Sequence, residues 1–188
     1  MTIENFIWDS QNQSVSWEYN GKIIKETYEN AYFATVNTQE NFVYVEAGQN
    51  YSQDQVYHLS FDGKRIFTLN KLSGKVSWLY QDKMVEVACK SIVNAQFYIE
   101  NGVIIVITAL SQSHRKLQGF ALDGILLFEK EPPHGYNFVN LSIYKNKPSV
   151  VCDGGKTNSD AYGRSSWHFA IDIKTGDMTK ENLAYWEV

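Results

Sequence analysis

The sequence predicts an all-β chain of antiparallel meanders in about four repeats, and three observations predict it. Residues 56–69 (VYHLSFDGKRIFTL) form two runs in which apolar and polar side chains alternate, the period of a half-buried strand, around Asp62-Gly63. Asp-Gly is a strong hairpin signal, because a type I′ turn needs positive φ at both central positions and Gly adopts it at little cost. Looser copies recur at 15–24, 117–128 and 167–178. Finally, the same distance separates Gly48 from Asp62 and Ala109 from Asp123, so two successive units agree in register.

Taken in order, 5–8 (NFIW) and 15–19 read as short strands, followed by the Asn20-Gly21 turn and 22–28; these make the unit 1–28. The next unit, 29–90, has strands at 31–38 and 41–48, a polar loop at 49–55, and then the 56–69 hairpin. Within it, Ser73-Gly74 and the alternating 75–80 (KVSWLY) predict an extra hairpin or an outer strand. The best helical stretch, 80–92, is rich in β-branched residues and lacks an N-cap, so it holds two turns at most. In the unit 91–131, strands at 93–100 and 103–109 flank Asn101-Gly102, a loop follows at 110–116, and the 117–128 hairpin closes it. The unit 132–188 has strands at 138–144 and 149–152 on either side of a turn at 145–147, a long loop at 153–166 and a final hairpin from Trp167. Four short antiparallel strands per repeat is the blade pattern of a β-propeller, so the expectation is one domain, 1–188, of the small four-bladed propeller-like kind. The first unit is one strand short. The C-terminal ENLAYWEV is expected to complete it, since an open sheet edge invites aggregation.

Residues 169–177 (FAIDIKTGD) and, more loosely, 67–78 (FTLNKLSGKVSW) resemble the repeats of pyrroloquinoline-quinone-like propellers. In those repeats an aliphatic-Asp pair, a Thr/Ser-Gly turn, a Lys and a Trp recur. The resemblance implies a blade and no quinone, because chains with that blade pattern often bind none.

A formal charge of −4, with no basic run longer than Arg115-Lys116, argues against nucleic acid and anionic membrane as partners. Cys89 and Cys152 each sit in an apolar run, which predicts buried, reduced thiols. With no basic-apolar leader at the N-terminus and no long apolar stretch, the expected location is cytoplasmic.

Motifs of catalysis fail on spacing. Residues 151–157 (VCDGGKT) end in Gly-Lys-Thr, but Val150 stands where a P-loop has its first Gly, and NSDAYGRSS follows where a helix should begin. Asp153, Asn158 and Asp160 lack the ligand alternation and terminal Glu of an EF-hand. The four histidines, His58, His114, His134 and His168, form no paired motif, and His58 and His168 alternate against the apolar face of their strands, which predicts solvent-side or hydrogen-bonded strand histidines. No cofactor, metal or catalytic residue is therefore expected.

What remains is a loop face. The loops 49–55, 110–116 and 153–166, with connections near 28–30, 81–91 and 131–136, would present Tyr51, Asp54, His114, Arg115, His134, Tyr136, Asp153, Asp160, Tyr162, Arg164 and Trp167. Tyr, Trp and Arg are the side chains of interaction hot spots. The expected function is a non-enzymatic protein-binding module, of the inhibitor or immunity kind, that docks another protein on this face. The alternative is a small hydrolase or carbohydrate-binding domain using 153–168, with Asp153, Asp160 and His168 as acid, base or ligand and Trp167 or Tyr162 as a stacking platform. The expected core is Tyr57, Leu59, Phe61, Ile104, Val106, Phe120, Leu122, Val150, Phe169 and Ile171.

Overall fold

A computed structural model describes residues 2–111 and 114–185, and they are all-β: seventeen strands in four antiparallel meanders, joined by turns and three single 3-10 turns. Among the described residues no helix is long and apolar enough to cross a membrane. The chain divides into two compact units, Met1–Ala88 and Cys89–Val188.

The first unit holds a three-stranded sheet, β1 (Glu4–Asp9), β2 (Ser14–Tyr19) and β3 (Lys22–Thr27). It also holds a six-stranded one, β4 (Ala31–Asn37), β5 (Phe42–Ala47), β6 (Gln55–Ser60), β7 (Arg65–Asn70), β8 (Lys75–Tyr80) and β9 (Lys83–Ala88), paired strictly in chain order. The extra hairpin is thus β8–β9. It shortens the connection expected at 81–91 to residues 89–91 and leaves no helix at 80–92, because Gln81 and Asp82 both take positive φ and close a two-residue turn of the I′ kind. Val15, Trp17, Val43, Val45, Leu59 and Phe61 are buried in one cluster between the two sheets. Trp17 Nε1 donates to the Phe61 carbonyl at 2.7 Å, which satisfies an indole that burial would otherwise penalise by about 1–3 kcal/mol.

The second unit has two four-stranded sheets. One is β10 (Ile92–Tyr98), β11 (Val103–Ser111), β12 (His114–Ala121) and β13 (Leu126–Lys130); the other is β14 (Asn137–Tyr144), β15 (Lys147–Asp153), β16 (Ser166–Ile171) and β17 (Met178–Leu183). Every residue from Val103 to Thr108 is buried, as are Pro148 to Cys152, so these inner strands are covered on both faces. That is why their sequences run continuously apolar (VIIVI, VVC) instead of alternating. Cys89 and Cys152 are buried and unpaired, as expected, and burial pushes the Cys152 thiol up to about 12.

Four expectations need correction. The Asp62-Gly63 turn is not type I′: only Gly63 has positive φ (87°), Gly63 N–H donates to Ser60 O, and Ser60 N–H donates to Lys64 O. This is a type I turn closed by a left-handed Gly, and it shifts the register between β6 and β7 by a bulge. Asp123-Gly124 repeats the geometry with Gly124 at φ 90°. The loop expected at 110–116 is mostly strand, since β11 runs to Ser111 and β12 starts at His114. Of the expected core, Tyr57 and Leu122 are only half-buried; the other eight are buried. The closing strand expected in 181–188 is β17 up to Leu183, paired with β16, and residues 186–188 lie outside the described residues.

Candidate functional site

The 153–166 crossing from β15 to β16 is the longest connection in the second unit, and hydrogen bonds rather than apolar burial hold it. Gly154 N–H donates to Ser165 O at 2.9 Å and closes the base, while the Asp153 carboxylate accepts Gly155 N–H. A side chain at Gly154 would collide with Asn158 and the Tyr136 ring, so the close approach there requires glycine. Asn158 ties the loop sideways: its Nδ2 donates to Gly135 O at 2.9 Å, and its own carbonyl accepts from Trp167 Nε1 at 3.2 Å.

At the tip, one carboxylate does most of the ordering. Asp160 Oδ1 accepts the Tyr162 and Arg164 amides, both at 2.9 Å, and Oδ2 accepts Arg164 Nε at 2.7 Å. The hydrogen bonds from Arg164 hold the Asp160 carboxyl below the usual carboxylate range. The guanidinium of Arg164 then lies 5.2 Å from the Tyr162 ring centroid and 5.8 Å from that of Tyr185, and donates to the Tyr185 hydroxyl. Tyr162 is 84% exposed and Tyr185 70%. The outcome is a Tyr-Arg-Tyr row, displayed to solvent and fixed from behind by Asp160.

The other candidates divide. Trp167 and Tyr136 are half-buried against the core, and Lys180 covers them: its Nζ lies 3.7 Å from the Trp167 ring centroid and donates to the Tyr136 hydroxyl at 2.7 Å. An open stacking platform at Trp167 is therefore corrected to a strut capped by a lysine. His114 faces Glu131 at 3.3 Å and Arg115 donates to the Phe138 carbonyl, so both brace strands. His134 is exposed in a turn closed by the Tyr136 amide on Pro133 O. Tyr51 and Asp54 belong to the first unit, where Ser52 Oγ donates to Asp54.

The structure gives Asp153, Asp160 and His168 separate partners. Asp153 caps a loop amide, Asp160 binds Arg164, and His168 stacks on Tyr144 at 5.1 Å with Ser149 Oγ 3.4 Å from its Nδ1. His168 opens on a cleft of about 410 Å³ lined in part by Asn140, Ser142 and Tyr185, and burial lowers its affinity for a proton. Ser149 is 0% exposed, so its hydroxyl cannot reach a substrate carbonyl. No group of three or more His, Cys, Asp and Glu among the described residues could hold a metal ion.

Sequence reasoning missed Tyr185 and Lys180, and it weighed Asn158 only as a calcium ligand. A signal existed for Asn158, an amide following a Gly-Gly pair in a long loop; Tyr185 and Lys180 reach the site only through the β16–β17 pairing.

No family model and no curated protein matches the chain. Among solved structures it is similar to a functionally unknown protein from Desulfotomaculum acetoxidans (12% identity, 94% of this chain and 50% of that one, TM-score 0.43). It is also similar to a candidate 6-phosphogluconolactonase from Bacteroides fragilis (10%, 91% and 65%, 0.44). A third is a protein of unknown function from Bacteroides caccae (11%, 95% and 57%, 0.38). The chain spans 50–65% of the length of these three proteins, and at such identities and scores the similarity transfers no activity to it.

Proposed function

We propose that the chain is a non-enzymatic protein-binding module, of the inhibitor or immunity kind, and that it docks its partner through the Tyr162–Arg164–Tyr185 row. The observation behind this reading is the pre-ordering of that row: two exposed aromatic rings flank an arginine whose rotamer Asp160 already fixes. Aromatic and Arg side chains supply most hot spots, and a group ordered before association loses less entropy on binding. The separate engagement of Asp153, Asp160 and His168 favours docking over hydrolysis.

The test is affinity capture from the source cell with wild-type, Tyr51→Ala, Tyr162→Ala and Arg164→Ala baits. A protein retained by wild type and Tyr51→Ala and lost from the other two is expected, with Arg164→Ala weakening the purified pair by about 30-fold or more. Equal retention on all four baits overturns the site, and absence of any retained protein overturns the reading.

A further inference from the structure

A second recess lies in the first unit, where the 48–54 segment joins β5 to β6. It measures about 390 Å³, and its lining includes Ser10, Gln13, Asn30, Tyr32, Asn50 and Tyr51. None of its described lining residues is charged. The two rings meet edge to face, with centroids 5.3 Å apart and planes at 77°. Tyr51 is 79% exposed, so one ring stands at the mouth while Tyr32 forms a half-buried wall.

The backbone is shaped to place that ring. Asn50 and Tyr51 both adopt left-handed φ, 53° and 61°, which is ordinary for Asn and rare for an aromatic residue. The rim is tied by Gly48 N–H to Asn30 O at 3.0 Å and by Asn30 N–H to Gln13 Oε1 at 2.9 Å. An adjoining recess of about 370 Å³ shares Asn30, Gly48 and Gln49 and adds the carboxylates of Glu29 and Asp54.

Neutral amides and hydroxyls both donate and accept hydrogen bonds, as sugar hydroxyls do, and an exposed aromatic face is a surface for apolar C–H groups. The described lining has no cation to hold a phosphate or carboxylate. The size is that of a small-ligand site. We infer that this recess binds a short neutral saccharide, with Tyr51 as its stacking face and Asn30, Gln13 and Asn50 as hydrogen-bonding groups.

Amide NMR titrations of the full chain with cellotriose, maltotriose and chitotriose, and with trigalacturonate as the anionic comparator, test it. At least one neutral trimer should perturb residues around Asn30, Tyr32 and 48–51 and bind more tightly than trigalacturonate. Tyr51→Ala should lose about tenfold in affinity while Tyr51→Phe, which keeps the ring, stays within about threefold. Asn50→Gly keeps the left-handed backbone and removes one amide, so it should weaken binding without disturbing the fold. Silence with all three neutral trimers, equal binding of the anionic one, perturbations centred on the second unit, or undiminished binding by Tyr51→Ala would each overturn the site. The docking reading stands or falls separately, since Tyr51→Ala leaves the Tyr162–Arg164–Tyr185 row intact.

Discussion

His58 shows how a single side chain can defy its strand's alternation. Register sets Tyr44 and Phe67 directly opposite it on β5 and β7, and Phe42 stacks on it at 4.2 Å with planes 7° apart. Its Nδ1 has no hydrogen-bond partner, and burial pushes its imidazole down to about 3. The solvent-side position, one of the two expected of it, does not hold, because a period of two says which face a residue takes, not whether that face is covered. The sign of the consequence is fixed: the folded state holds His58 neutral, whereas the unfolded chain takes up a proton near 6.5. Stability is therefore complete above about 6.5 and falls by about 1.4 kcal/mol per pH unit as the pH drops toward 3. Tyr44, whose hydroxyl is bonded to Glu46, lies beside it, and no carboxylate contact rescues the charged form. Urea unfolding of wild type and His58→Phe at pH 7 and pH 4.5 checks this. The variant should show a distinctly smaller loss between the two; the same loss in both would place the acid sensitivity elsewhere, with partly buried His168 the next group to test.

Among the elements, the turns were legible as places and less so as types. Asn20-Gly21 forms the two-residue turn its sequence announces, with both φ positive, whereas Asp62-Gly63 and Asp123-Gly124 absorb an extra residue because their strands bulge. Lys145-Asn146 and Gln81-Asp82 reach the same positive φ pair without glycine; the break between two apolar runs still placed a turn at 145–147, whereas nothing marked the one at 81–82. One glycine on a strand has a packing reason. Gly119 lies opposite Phe128 in the β12–β13 pair, and a methyl group at 119 would fall inside the Phe128 ring. The ring is 6% exposed and joins the core of the second unit, so it has little freedom to move away. Gly119→Ala is expected to destabilise the protein by about 1–3 kcal/mol. In a double-mutant cycle, Phe128→Leu should make the added methyl cheaper by at least about 0.5 kcal/mol. Strict additivity would mean that the strand shifts instead of the ring.

For the molecule as a whole, the meander order was readable because consecutive strands pair with one another and each hairpin carries its own turn signal. The site was readable only in part. Tyr162 and Arg164 announced themselves by type within an apolar-poor loop, but their support by Asp160 and Tyr185 depends on a turn geometry and a strand pairing that spacing does not encode. Burial across the two units also sets a graded test of register. Leu59 is fully buried in the first unit and Leu117 in the second, while Leu122 is half-buried beside the Asp123-Gly124 turn and Tyr162 stands in solvent. Leu59→Ala and Leu117→Ala each remove a side chain whose surroundings can close only partly, which costs about 2–5 kcal/mol. Leu122→Ala should cost less than either, and Tyr162→Ala should stay within about 0.5 kcal/mol, since a solvated ring leaves no cavity behind. Thermal and urea unfolding of the four variants gives the ranking. A Leu122→Ala loss larger than that of Leu117→Ala would put β12 out by one residue, because such a slip exchanges the buried and exposed faces of the strand together.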